Sequence, residues 1–446
     1  MVGVWLGGAE ILRTSTATRP TKDGIFWKVR KDVKRAPLSG VAKSSVMMYR
    51  EAIDSVSKQT NSLNLYETPA DLIIPISGTR NEGFWFRIQS VSDVHSMGIQ
   101  IPRNTWKAVL EVYVSFHGND EFWYSNPPDS YLRMNNLTTE RGNGAYREVF
   151  VTIDGNFVGS VIPFPVIFTG GMNPLFWEPV VAIGAFNLPS YDFELTPFLG
   201  LLLNGKNHIF GLGVTDSIPF WLVDANLHLW LDREGSSAVE AKTVETHTPA
   251  GSIERLSIFK QLDGSFKIIT TRKSKFLGWV ISSRGNLTTH FLHKFKFSSS
   301  IKFKNNGTLT MVKQKLKTRT RLKVLSQMGG SITKATFKGN YPLKISTLTL
   351  PESKKNTYLL ATNISHAVRE KSSNGKFSSS VSNIQYSSGW LKMKMKMKGH
   401  SILSGAANTN QSFSSKNEFG CYSRIVAAIN GKLFIDNSSF ACISSF

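Results

Sequence analysis

Five consecutive residues, Asp120-Glu121-Phe122-Trp123-Tyr124, put two carboxyl groups beside three aromatic rings. Carboxyl groups tuned by their surroundings can activate a water and protonate a leaving group, and aromatic faces can hold a sugar ring. Glu121 is the candidate acid–base residue of this stretch, with Asp120, Trp123 and Tyr124 as candidates for binding a saccharide. A second set recurs with period two in VDANLHLWLD, residues 223–232. Val223, Ala225, Leu227, Leu229 and Leu231 take one face of a strand, and Asp224, Asn226, His228, Trp230 and Asp232 take the other. That polar face could line a saccharide cleft. The plainer readings are a solvated turn for the first set and the wet side of a half-exposed sheet for the second.

The elements that must position these residues are strands. In the stretch from Trp106, Ala108, Leu110, Val112, Val114 and Phe116 alternate with Glu111, Tyr113, Ser115 and His117 until Gly118 and Asn119 break the pattern. Residues 120–124 therefore sit at the mouth of a strand, where a loop on a fixed support can carry chemistry. Downstream, Tyr146 to Ile153 and Phe157 to Ile167 flank Asp154-Gly155-Asn156, a hairpin turn that needs positive φ angles. Shorter runs follow at 276–282, 292–297, 300–303 and 311–324, while Val46 to Val56 is the best helix candidate. Short strands separated by Gly, Pro and Asn turns predict an all-β chain of β-sandwich or jelly-roll type.

The net charge of +22 is unevenly spread: residues 1–232 carry 19 Lys and Arg against 22 Asp and Glu, and residues 233–446 carry 34 against 9. The shift marks a boundary near Asp232. In the basic half, Lys alternates with apolar residues, as in KFKFSSSIKFK (294–304) and LKMKMKMK (391–398). Single-strand nucleic-acid binders use a similar mixture, but no recognised nucleic-acid motif accompanies it, so nucleic acid is not the expected partner. Alternating Lys also keeps a strand soluble and blunts edge pairing. An acidic polysaccharide fits the charge equally well, because Coulomb attraction is blind to chemistry.

Other functional classes are excluded. No apolar run approaches the ~18 residues of a membrane helix. There is no Gly-x-Ser-x-Gly elbow and no phosphate loop, and Gly211-Leu212-Gly213 lacks the third glycine of a dinucleotide fingerprint. His290 and His293 on a strand would point to opposite faces, and two cysteines cannot build a thiolate zinc cage. Cys421 and Cys442 either close one disulfide or remain two thiols. Sequons at Asn136, Asn286, Asn306, Asn363, Asn410 and Asn437 lean towards a secretory origin. The opening MVGVWLGGAEIL has no basic start and carries Glu10, so it does not read as a signal peptide.

Several long blocks resemble plant peptide:N-glycosidase A, the glycoprotein amidase A family: WLGGAEILRTSTA (5–17), GIFWKVRKDV (24–33), LEVYVSFHGNDEFWYSN (110–126), PVIFTGGMNP (165–174), LPSYDFELTPFLG (188–200), VDANLHLWLD (223–232), GKFSSSVSN (375–383) and EFGCYSRIVAAINGKLFIDNSSFAC (418–442). The resemblance implies a secreted or vacuolar hydrolase that cleaves between the innermost N-acetylglucosamine and an Asn side chain of N-glycosylated peptides. The products would be an Asp-containing peptide and a glycosylamine that loses ammonia, with no metal or cofactor. It implies that Glu121 is an acid–base member or holds the chitobiose core, with Trp123 and Tyr124 stacking on sugar. By similarity to bacterial peptide:N-glycosidases, which pair two jelly rolls, the site would lie between domains.

Three features depart from the family's pattern. A further N-terminal segment with an Asp-Arg pair is expected before the first block, residues 36–66 diverge, and Glu178 stands where a basic residue is expected after Trp177. The expected organisation is an incomplete first sandwich (1–66), a second jelly roll holding the main site (67–232), a linker (233–249) and a basic C-terminal β domain (250–446). The rival to an amidase is a catalytically inactive, truncated homologue that binds glycans or polyanions.

Overall fold

The structure is a computed structural model of the 446-residue chain, and it describes residues 1–16, 29, 68–78, 84–234, 238–327, 330–354, 356–375, 377–395 and 400–442. The helix candidate at 46–56 lies outside these residues, as does most of the segment expected as a first sandwich. The described residues are built almost wholly from antiparallel strands, with helix confined to short turns such as α1 (Asp129–Met134). The chain is all-β.

Four sheets form. β1 (Val2–Leu6) and β2 (Ala9–Thr14) make a hairpin of their own. β3 (Leu72–Ile76) and β4 (Phe86–Ile88) both pair with β11 (Trp221–Leu231). β11 pairs in turn with β6 (Thr105–Phe116), and β6 with β9 (Ser190–Glu194), completing a five-stranded sheet. A four-stranded sheet runs β5 (His95–Gln100), β10 (Asn207–Thr215), β7 (Glu148–Ile153) and β8 (Asn156–Val161). Val112 and Leu227 from the five-stranded sheet and Val151 and Leu212 from the four-stranded one fall in a single continuous core. The β7–β8 turn adopts the expected positive φ, 50° at Asp154 and 79° at Gly155.

The basic half forms one very long meander. Its strands are β12 (Glu240–His247), β13 (Ser252–Lys260), β14 (Asp263–Ser282), β15 (Gly285–Lys304), β16 (Leu309–Ser326), β17 (Gly330–Pro351), β18 (Thr357–Ser373), β19 (Ser378–Met395), β20 (His400–Asn417), β21 (Gly420–Ile429) and β22 (Lys432–Ser439). β12 lies within the stretch read as a linker and pairs with β14. The runs expected as separate strands at 292–297 and 300–303 are one strand. Ser298–Ser300 does not break it, because Ser299 faces inward and is buried while its neighbours pair with Lys267–Ile269. The inner face of this sheet covers the sandwich, placing Phe297 against Trp123, Phe303 against Tyr131, Phe276 against Phe198 and Tyr341 against Phe164. The approach is close enough that a Cβ on Gly278 would stand 2.5 Å from the carbonyl oxygen of Pro197. Cys421 and Cys442 form a disulfide.

Candidate active site

The alternation in β6 and β11 puts Glu111, Tyr113 and Ser115 beside Asn226, Asp224 and Leu222 in register, on the side of the sheet away from the core. That side is not wet. Asp224, Asn226, His228 and Trp230 are all buried. The β1–β2 hairpin is clamped across part of this face, with the Asn226 amide accepting from the Glu10 N–H at 3.2 Å and donating to the Glu10 carbonyl at 2.7 Å.

The hairpin carries a charged pair. Trp5 lies opposite Glu10 and Val4 opposite Leu12, so Ile11 is an extra residue that bulges out of the ladder. The bulge reverses the alternation, and Glu10 and Arg13 come to share a face despite odd spacing. Arg13 grips Glu10 with its fork, Nε to Oε1 at 2.7 Å and a terminal nitrogen to Oε2 at 2.6 Å. Its other terminal nitrogen donates to the Leu222 carbonyl at 2.7 Å and to Ser115 Oγ at 3.2 Å. Ser115 in turn bonds His117 Nε2 at 2.9 Å. Burial, with Arg13 and Arg87 nearby, lowers the His117 pKa to about 4, so this ring is neutral at physiological pH.

Asp224 is the second carboxyl. Its Oδ2 accepts the Trp5 indole N–H at 2.8 Å, and the Trp85 indole N–H reaches Glu10 at 3.2 Å. Each acid therefore holds one indole, and both tryptophans are only half-buried. Their rings lie 5.1 Å apart over Gly3, where a Cβ would collide with both. Burial, then the charge of Glu10, raises the Asp224 pKa far above the usual carboxylate range. Arg13 pairs with Glu10 alone, so Asp224 has no ion-pair partner among the described residues and its surroundings favour the protonated form.

Glu111 lies on the same face, receiving Ser190 Oγ at 2.7 Å and the Tyr113 hydroxyl at 3.1 Å, with His228 Nε2 at 3.3 Å. Trp230 is covered by Lys107 at 4.5 Å, and its indole donates to the Thr68 carbonyl at 3.1 Å.

The residues after β6 form a different environment. Asp120 is wholly buried and accepts from Arg147 at 2.8 and 2.6 Å, Trp221 at 2.6 Å, Ile218 N–H at 3.0 Å and Asn126 at 3.2 Å. Trp123 and Tyr124 have no exposed surface, so neither ring offers a face to a ligand. Glu121 is half-buried, and desolvation raises its pKa against the opposing charge of Arg141. The structure thus brings Asp224 and Asn226 together with Glu10, Arg13, Trp5 and Trp85, sets His228 beside Glu111 on the same face, and keeps Asp120, Trp123 and Tyr124 in the protein interior. Glu10 and Arg13 are invisible to a period-two reading because of the bulge. Trp85 comes from a distant segment. The one usable signal was Glu111, Tyr113 and Ser115 on the polar side of the β6 alternation.

Among the described residues, no cluster of three His, Cys, Asp or Glu is placed to hold a metal ion, and no helix is long and apolar enough to cross a membrane.

The family model described as peptide N-acetyl-β-D-glucosaminyl asparaginase amidase A matches residues 1–249, from the hairpin through β12. Over 468 aligned positions the chain is 39% identical to peptide-N4-(N-acetyl-β-glucosaminyl)asparagine amidase A of Prunus dulcis, an alignment that takes in 99% of this chain and 81% of that protein. No solved structure matches the chain.

Proposed function

The chain belongs to the peptide N-acetyl-β-D-glucosaminyl asparaginase amidase A family, and from that premise we propose that it deglycosylates N-glycopeptides, with Asp224 and Glu10 as its acid–base pair. The scissile bond is the amide between the innermost N-acetylglucosamine and the Asn side chain. Water adds through oxygen to the side-chain carbonyl carbon while Glu10 takes up its proton. The C–N bond then breaks as Asp224 gives its proton to the leaving nitrogen. The products are an Asp-containing peptide and a glycosylamine. Arg13 positions Glu10, and the half-buried Trp5 and Trp85 supply faces for the sugar. The observation that carries this reading is a buried Glu10–Arg13 ion pair with a second buried carboxyl, Asp224, beside it and without an ion-pair partner among the described residues, each carboxyl held by an indole N–H.

The same reading takes the protein through the secretory route, to the cell exterior or the vacuole. The Cys421–Cys442 disulfide and the exposed sequons at Asn136, Asn306, Asn363, Asn410 and Asn437 support that route.

The test is glycan release from a defined glycopeptide by the folded chain, beside Asp224→Asn. The amide variant keeps the Trp5 contact and removes the proton donor. Expected is a loss of roughly 10²–10⁴-fold in rate at unchanged thermal stability. Full activity in Asp224→Asn sinks the acid assignment, and absence of release by the native chain from acidic to neutral pH sinks the amidase.

A further inference from the structure

The outward face of the long sheet carries an unbroken row of like charge. Lys273, Lys294, Arg319, Lys338 and Lys371 stand directly opposite one another in the consecutive strands β14 to β18. Two residues along, Lys296, Lys317 and Arg369 fall in a second row with Thr271 and Asn340. Strand spacing sets neighbouring cations in a row about 5 Å apart, and the two rows lie about 7 Å apart. All eight are exposed except Arg319, which is half-buried and whose Nε has no hydrogen-bond partner among the described residues. β15, β16 and β17 contain no Asp or Glu at all, and the one acid of β14 is Asp263 at its first position.

Folding alone does not account for this row. Like charges directly opposite across strands destabilise a sheet. Protection of an edge does not explain the row, because β15 to β18 are paired on both sides; Lys273 alone sits in a gap, where β13 ends opposite Thr271 and β12 ends opposite Lys275. Solubility is served better by mixed signs. We infer that the row is a binding track for a linear polycarboxylate, an acidic polysaccharide of the uronate type.

Two observations choose this partner over other polyanions. Neither row contains an aromatic side chain, so a nucleic-acid strand would find charge without a stacking platform. A sheet twisting about 20–25° per strand turns the row through roughly 80–100° over five strands. A planar anionic bilayer would meet only part of it, whereas a flexible chain can follow it. Carboxylates along such a chain pair with the cations one after another.

The track shares no residue with the Glu10–Asp224 pair and does not depend on the amidase reading. Its test is binding of the full chain to polygalacturonate across a salt series, beside phosphatidylserine vesicles and single-stranded DNA. Polygalacturonate should bind most tightly and weaken steeply with salt. The triple variant Lys294→Gln, Arg319→Gln, Lys338→Gln should lose about tenfold or more in affinity, and Lys206→Gln, Lys416→Gln, Lys432→Gln, equal in net charge, under about twofold. Lys294→Arg with Lys338→Arg should bind like the native chain and guards against a folding defect. Equal loss in both triple variants, tighter binding to vesicles or DNA, or no binding at low salt would overturn the track. Glycan release should be unchanged in every variant.

Discussion

Two buried acid–guanidinium clusters meet the β6–β11 pair, and they differ by one carboxyl group. Asp120 and Arg147 touch it from the core side, through the Trp221 indole. Every Arg147 N–H is spent, on both Asp120 oxygens and on the carbonyls of Gly142, Gly144 and Tyr146. One positive charge meets one negative charge, and nothing is left over. On the other face Arg13 meets Glu10, but Asp224 lies beside them with no cation of its own. The difference teaches how to tell a brace from a tool. A balanced, saturated pair holds elements together, whereas a surplus acid keeps a proton it can give away.

The largest effect separating the two should come from Asp120→Asn. It leaves Arg147 buried without a counter-charge, a change that costs about 3–5 kcal/mol. Chemical denaturation should show that loss, with activity falling only as the folded fraction falls. A variant as stable as the native chain would remove the distinction.

A smaller effect should appear in the pH dependence of stability. Asp224 has a raised pKa in the folded state, so its contribution is complete at acid pH and is lost as pH rises from the ordinary carboxylate range through its folded value. The native melting temperature should therefore decline towards alkaline pH more than that of Asp224→Asn, which has no proton to lose. Parallel curves for the two proteins would show that Asp224 does not hold the surplus proton.

The smallest effect should be that of Glu121→Gln. Glu121 stands beside buried aromatic rings with the charge of Arg141 opposing its desolvation, and its removal should change glycan release by less than about threefold. Complete loss of activity would move the chemistry back to the β6 mouth.

Much of this was legible in the residues. Alternation in 106–117 and 223–232 located the two central strands, and their polar sides are the two halves of the charged face. Asp154-Gly155 announced its hairpin. What could not be read has physical causes. A single bulged residue, Ile11, reverses the alternation that would have pointed to Glu10 and Arg13 together. Aromatic residues look alike in sequence whether they stack on a ligand or fill a core. Trp123 and Tyr124 are buried, with Phe297 of the long sheet packed against Trp123 and Trp123 against Tyr124. Lysines alternating along β15 and β16 read as solubilising edge residues until pairing shows that neither strand is an edge.

The hairpin that supplies Glu10 shares no ladder with the larger sheets; side-chain bonds to β11 hold it, with main-chain bonds from the Leu188 N–H to the Arg13 carbonyl at 2.9 Å and from the Ser15 N–H to the Ala185 carbonyl at 2.8 Å. Half of the acid pair therefore arrives on an arm whose release requires less free energy than unfolding of the sandwich beneath it. Catalytic competence and foldedness are separable in such a protein. A population that is fully folded by every global measure can contain molecules in which the arm has lifted, and in those molecules Asp224 loses both the burial and the neighbouring charge that raise its pKa.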